Sequence, residues 1–205
     1  MWEKISVSQG VSEDQTGQIP STENSGTGEA QGQNVRLLKT SLRLAKGKKG
    51  KLQLLGASGK VTWKSSDASV VSISSTGRVT GKRVGKAKVT ASYLGETFTA
   101  TVTVTPARGK IIRVRPAKAG SMAVKWKKIK QIKGYQIRYA TDKKFKKNAK
   151  TLTITKSNIQ KRTIRRLKKG KTYYVSLRAF ATWKGKRIYG DYSQTVKVKI
   201  PNGHI

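Results

Sequence analysis

Cysteine is absent from this 205-residue chain. Its absence excludes disulfides, thiol nucleophiles and thiolate metal sites together, and leaves the compartment open. Histidine occurs once, as His204 in the closing PNGHI. A catalytic triad or metal cluster needs partners held in fixed geometry, which the end of a chain does not offer. Acidic residues are scarce as well: nine against 45 Lys plus Arg, for a formal net charge of +36. Glu3, Glu13, Asp14, Glu23 and Glu29 all precede residue 35, which leaves Asp67, Glu96, Asp142 and Asp191 for the rest. Glycoside hydrolysis needs two carboxylates flanking one bond, and calcium needs six to eight oxygen ligands; four scattered acids suit neither. Asp67, in a Ser-Ser-Asp run, and Asp142, in ATDKKF, read as turn or cap residues, and Asp191 as a neighbour of a strand. There is no GxxxxGK[ST] phosphate loop and no GxGxxG, so no cofactor is expected. No apolar run approaches the ~20 residues of a membrane span. The opening MWEKISVSQG also lacks the apolar core of a signal peptide.

What is present falls into blocks. Residues 1–34 are rich in Gly, Ser, Thr, Gln and Glu, with scattered apolar residues such as Trp2, Ile5 and Val7. Such a composition cannot bury enough surface to offset chain entropy, so a disordered linker is expected there. From 35 to 106, short β-branched runs alternate with Gly and Ser: KLQLL, KVTWKS, SVVSIS, GRVTG, KAKVTASY and TFTATVTVT. In the last of these Phe98, Ala100, Val102 and Val104 face one way and threonines the other, the period of a half-buried strand. A second block spans 107–201, with IIRVRP, SMAVKW, YQIRYA, TLTIT, RTIRRL, TYYVSLRAFA and TVKVKI, and leaves 202–205 as a tail. Met122, Val124 and Trp126 alternate with Lys125, and Tyr173, Val175, Leu177 and Ala179 with Arg178. Basic side chains therefore fall on the water side of each strand. No stretch keeps a helical period. The expected fold class is all-β, two small antiparallel sandwiches in tandem.

The first block resembles the bacterial Ig-like domain, group 2. The resemblance is carried by Trp63, Ser65, Ser66, Asp67, Val71 and Ile73, then Gly77, Val79, Thr80 and Gly81, then Gly85, Ala87, Val89, Thr90 and Ala91. In that reading Trp63 fills the space between sheets, and Gly77, Gly81 and Gly85 take turn conformations closed to other residues. The second block resembles a fibronectin type III domain. It shares Trp126 on its second strand, GYQIRYAT on its third, and the Leu167, Gly170 and Tyr173 of LKKGKTYYVSLRAF. The resemblance implies that the Tyr173 hydroxyl returns to upstream backbone as a tyrosine corner. WKGKRIYGDYS resembles the loop and final strand of lysine-rich copies in Gram-positive, clostridia-like surface proteins.

Together the resemblances imply a non-catalytic spacer or adhesion module of a larger bacterial protein. It is expected outside the cell or on its wall, with the native N-terminus and an export signal missing. An alternative is the C-terminal accessory region of a secreted enzyme whose catalytic domain lies upstream. Partners would be upstream domains of the parent and an anionic cell-wall or host polysaccharide. The candidate contacts are Lys125, Lys127, Lys128, Lys143, Lys144, Lys146, Lys147, Lys168, Lys169 and Lys171. Lysine outnumbers arginine, which argues against sequence-specific nucleic-acid recognition, where Arg forks read guanine edges.

Overall fold

The computed structural model describes residues 34–118 and 120–203. His204 and the expected linker, Asn34 apart, lie outside them.

Among the described residues the chain is all-β, with no helix. The first nine strands are β1 (Arg36–Leu37), β2 (Ser41–Ala45), β3 (Lys49–Lys51), β4 (Leu54–Leu55), β5 (Thr62–Ser65), β6 (Val71–Ile73), β7 (Arg78–Gly81), β8 (Gly85–Tyr93) and β9 (Glu96–Thr105). They form a four-stranded sheet in the order β2-β9-β8-β5, a three-stranded sheet β3-β7-β6, and the pair β1-β4. SLRLA was not among the expected strands. It becomes β2 by lying parallel to β9, Leu42 opposite Val102 and Leu44 opposite Val104, a pairing across more than fifty residues that no local pattern announces. The expected strand KLQLL divides instead into β3 and β4, each serving a different sheet. Between the sheets lie Leu52, Val70, Val71, Val79, Val89 and Val102, all fully buried.

The remaining strands are β10 (Ile111–Pro116), β11 (Met122–Trp126), β12 (Gly134–Ala140), β13 (Lys150–Ile154), β14 (Lys161–Ile164), β15 (Thr172–Trp183), β16 (Lys186–Tyr189) and β17 (Val196–Lys199). One sheet has the order β10-β11-β14. The other runs β13-β12-β15-β16, with β17 also on β15. The long β15 holds β17 along its first half and β16 along its second. The core is Met122, Val124, Trp126, Tyr135, Ile137, Val175, Leu177 and Ile200, contributed by both sheets.

Three tyrosines fasten loops to this framework. The Lys168 amide donates to the Tyr173 hydroxyl at 3.0 Å, and the Ile129 amide to that of Tyr135 at 2.9 Å. Tyr93 closes the first sandwich: its hydroxyl donates to the Ser58 carbonyl at 2.9 Å and accepts the Ser58 amide at 3.1 Å. Tyr173→Phe should therefore cost about 1–2 kcal/mol by orphaning the Lys168 amide. Tyr174→Phe, on the opposite face of β15, should cost far less. Urea titration of the two variants checks the order, and equal losses would count against the Lys168 contact.

Two expectations need correction. Trp63 is half-buried rather than a core filler, because β5 is the outer strand of its sheet and the indole covers the margin of the core beside Gly77. Of the three glycines assigned to turn conformations, only Gly77 has positive φ (75°); a Cβ there would also run into the Leu52 carbonyl. Gly81 and Gly85 are strand residues that are small for lack of room. A Cβ on Gly81 would meet the Val104 methyls at 3.0 Å, and one on Gly85 the Trp183 indole at 2.9 Å.

Candidate polyanion-binding surface

The lysines singled out in the sequence do not converge on one site. Lys125 stands on the outer face of β11, directly opposite Arg113 of β10 and Lys161 of β14. Lys127 and Lys128 follow β11 and join Lys46, Arg108, Lys110 and Lys130 around a depression of about 490 Å³ between the sandwiches. Val84, Pro106, Ala107 and Ile129 supply its apolar lining. Lys143, Lys144, Lys146 and Lys147 occupy the connection from β12 to β13 and are all exposed. Lys168, Lys169 and Lys171 are exposed around the turn that enters β15. Lys150, Arg166 and Lys168 rim a cavity of about 280 Å³ bordered by Tyr139 and Tyr173. Burial there pushes the Tyr139 phenol above its ordinary value, and the neighbouring Tyr173 adds to the shift.

Three of the four acids among the described residues are occupied: Asp67, Asp142 and Asp191. Asp142 accepts the backbone amides of Lys144 at 3.1 Å, Lys146 at 2.8 Å and Lys147 at 3.4 Å, which folds the lysine turn around one carboxylate. Those amide bonds, Lys146 first, hold its carboxyl below the usual carboxylate range. Asp67 is lowered in the same way, chiefly by the Ser69 hydroxyl, and its other oxygen faces Arg83 at 3.9 Å. Asp191 faces Arg43 of the first sandwich at 3.8 Å, where Arg43 also donates to the Tyr189 carbonyl at 2.5 Å. These two ion pairs are the ones found among the described residues. Among the described residues the basic surface is otherwise uncompensated by carboxylates. Among the described residues no three of His, Cys, Asp and Glu gather as metal ligands, and no helix is long and apolar enough to cross a membrane.

Arginines on the large sheet are treated differently. Arg138 lies over the Tyr192 ring (3.8 Å to its centroid) and over Phe145 (4.1 Å), and its Nε donates to the Ser176 hydroxyl at 2.7 Å. Arg178 lies over Tyr189 (4.0 Å) and Tyr192 (4.5 Å), and its Nε donates to Gln136 Oε1 at 2.7 Å. Guanidinium planes thus roof the outer face of β12 and β15: Arg138 covers Ser176, and Arg187 (4.8 Å to the ring centroid) with Tyr189 covers Phe180, two residues buried on a side that alternation assigns to water. Sequence reasoning did not find this stack; YGDYS, which supplies two of its rings, was its visible trace. Nor did it find the junction. Trp183, which opens the WKGKRIYGDYS segment likened to a loop and final strand, instead ends β15 half-buried with its indole against Gly85 of the first sandwich.

A two-sheet sandwich closed by a tyrosine hydroxyl, with small residues at Gly77, Gly81 and Gly85, describes the first domain. Residues 32–104 match the family model of the bacterial Ig-like domain (group 2). No curated protein matches the chain. Among solved structures, similar chains include fibronectin type III domains. The FN1–FN3 domains of chicken CNTN1 share 16% identity over 82% of this chain and 66% of that one, with a TM-score of 0.41. The third fibronectin III domain of human KIAA0343 shares 17% over 48% of this chain and 85% of that one, at 0.39. The FN5 domain of Drosophila Lar shares 22% over 48% and 99%, at 0.38. Ig-like and fibronectin III modules are commonly extracellular and generally non-catalytic.

Proposed function

We propose that the chain is a non-catalytic spacer and display module of a larger extracellular bacterial protein, retained on anionic cell-wall or host polysaccharide by its basic surface. The observation that supports this reading is the imbalance of the second domain. From residue 107 onward the sequence has 30 bases and only two acids, and both acids are occupied, Asp142 by backbone amides and Asp191 by Arg43. Charge of one sign draws polyanions by counterion release.

Such binding is electrostatic and spread over many side chains. With the full chain, log affinity for heparin should fall linearly with log salt. Reversing Lys143, Lys144, Lys146 and Lys147 to Glu should weaken binding and flatten that slope without abolishing binding. Affinity should follow polymer charge density more than sugar identity. No retention near 0.1 M salt, where screening acts beyond only ~10 Å, would leave a plain spacer. Retention that survives 1 M salt would point instead to a site held by other forces.

A further inference from the structure

One cationic cluster is built in a way that solvation does not explain. On the three-stranded sheet, register places Arg113, Lys125 and Lys161 in a row across β10, β11 and β14. Arg115 stands two residues along on the same face, opposite Ala123. Arg113, Arg115, Lys125 and Lys161 are all exposed and line one shallow depression of about 140 Å³ with Ala123 as its floor. Its outer neighbour is lined by Lys161, Arg162, Thr163 and Arg165. Among the described residues no carboxylate lines either depression.

Like charges directly opposite one another destabilise an antiparallel pair. Adjacent strands stand ~4.8 Å apart, so the row packs three cations into roughly 10 Å. Protection of sheet edges by lysine accounts for charges on β10 and β14, which are the outer strands. It does not account for Lys125, which is on the central strand. The same domain also has another way of seating arginines, since Arg138 and Arg178 on the large sheet are stacked on rings and hydrogen-bonded to Ser176 and Gln136. Among the described residues, those that line the small sheet's row include neither rings nor carboxylates.

We infer that this row is the seat for the sulfate or phosphate esters of an acidic polysaccharide, whose charges relieve the repulsion. The inference rests on the reading of the protein as a polyanion binder and places its strongest contact. Arg113 and Arg115 present planar forks suited to tetrahedral oxyanions, and Lys125 and Lys161 add mobile point charges between and beside them. No aromatic residue lines the depression, so it lacks the stacking platform of single-stranded nucleic-acid binders.

Neutralising the middle of the row tests this. In the full chain, Lys125→Gln should lower affinity for heparin and for a teichoic acid by about 3- to 10-fold near 0.1 M salt, the effect of losing one strong phosphate-type contact. It should also raise the urea midpoint of the free protein, by less as salt increases. Lys161→Gln serves as a second variant with the same expectation. Lys156→Gln, a matched loss of one exposed charge between β13 and β14, should shift binding less than 2-fold and leave the midpoint unchanged. A loss in Lys125→Gln no larger than in Lys156→Gln overturns the seat while polyanion retention stands. Loss of binding without the gain in midpoint, or the gain without the loss, overturns it too. Tighter binding of oligothymidylate than of either polysaccharide overturns the choice of ligand. No binding by the unaltered chain removes both readings. A loss confined to heparin or to teichoic acid assigns the seat to sulfate or to phosphate, respectively.

Discussion

Replacing Trp126 with alanine should cost the second domain about 3–5 kcal/mol, the range for removing a large buried aromatic and leaving its space unfilled. Trp126 is fully buried on β11. Its ring meets Tyr135 edge-on, with centroids 5.3 Å apart at 60°, and Tyr135 is in turn fixed by the Ile129 amide. The walls of the space belong to two hydrogen-bonded sheets, which limits how far they can close over a void. A small domain is stable by only about 5–15 kcal/mol, so the variant should sit near the edge of unfolding at room temperature. The indole carries a further detail. Among the described residues, its Nε1 is buried without a hydrogen-bond partner. An unpaired buried donor is itself destabilising, by about 1–3 kcal/mol. Trp126→Phe keeps most of the ring volume and removes that donor, so it should lose less than half of what alanine loses. Urea titration followed separately for the two sandwiches checks both variants, and the transition of the first should not move. A loss below about 1 kcal/mol for alanine would mean that the core collapses around the gap.

The alternation of apolar and basic residues made the second domain legible. Met122, Val124 and Trp126 are buried and Lys125 is exposed, as the period of two requires. Tyr173 was legible for the same reason, together with its spacing from Leu167 and Gly170. What escaped was non-local. The parallel pairing of β2 with β9, the packing of Trp183 on Gly85 and the arginine stack under Tyr192 each join residues far apart in the chain. Their signals are single residues without periodicity. The charges show the same division. Their abundance can be counted in the sequence, but the alignment of Arg113, Lys125 and Lys161 depends on strand register, and there is a register shift between Ile111 and Arg113. A one-residue slip would send those side chains to opposite faces.

Gly134→Ala should be nearly as damaging as the loss of Trp126, although it adds one methyl group. Gly134 opens β12, is buried, and pairs with Phe180 of β15. Its φ is not positive, so the issue is room rather than conformation. A Cβ there would run into the Ile154 carbonyl oxygen and come within 3.0 Å of the Phe180 ring. The ring could turn aside; the carbonyl cannot, because Ile154 lies in β13, in register with Tyr135 of β12. Relief requires β12 and β13 to part at the start of their ladder, next to the buried Tyr135. Overpacking of this kind costs about 1–3 kcal/mol where side chains can adjust, and the upper end or beyond is expected where backbone must move. Gly185→Ala is the matched control. Its φ of 75° also disfavours a side chain, but nothing lies within 4 Å of the added carbon. There the loss should be about 1 kcal/mol, the cost of a strained backbone alone. Denaturation midpoints of the two variants should therefore separate widely. Equal losses would mean that the β12–β13 ladder opens without cost, and that the turn carrying Lys143 to Lys147 is not held by it.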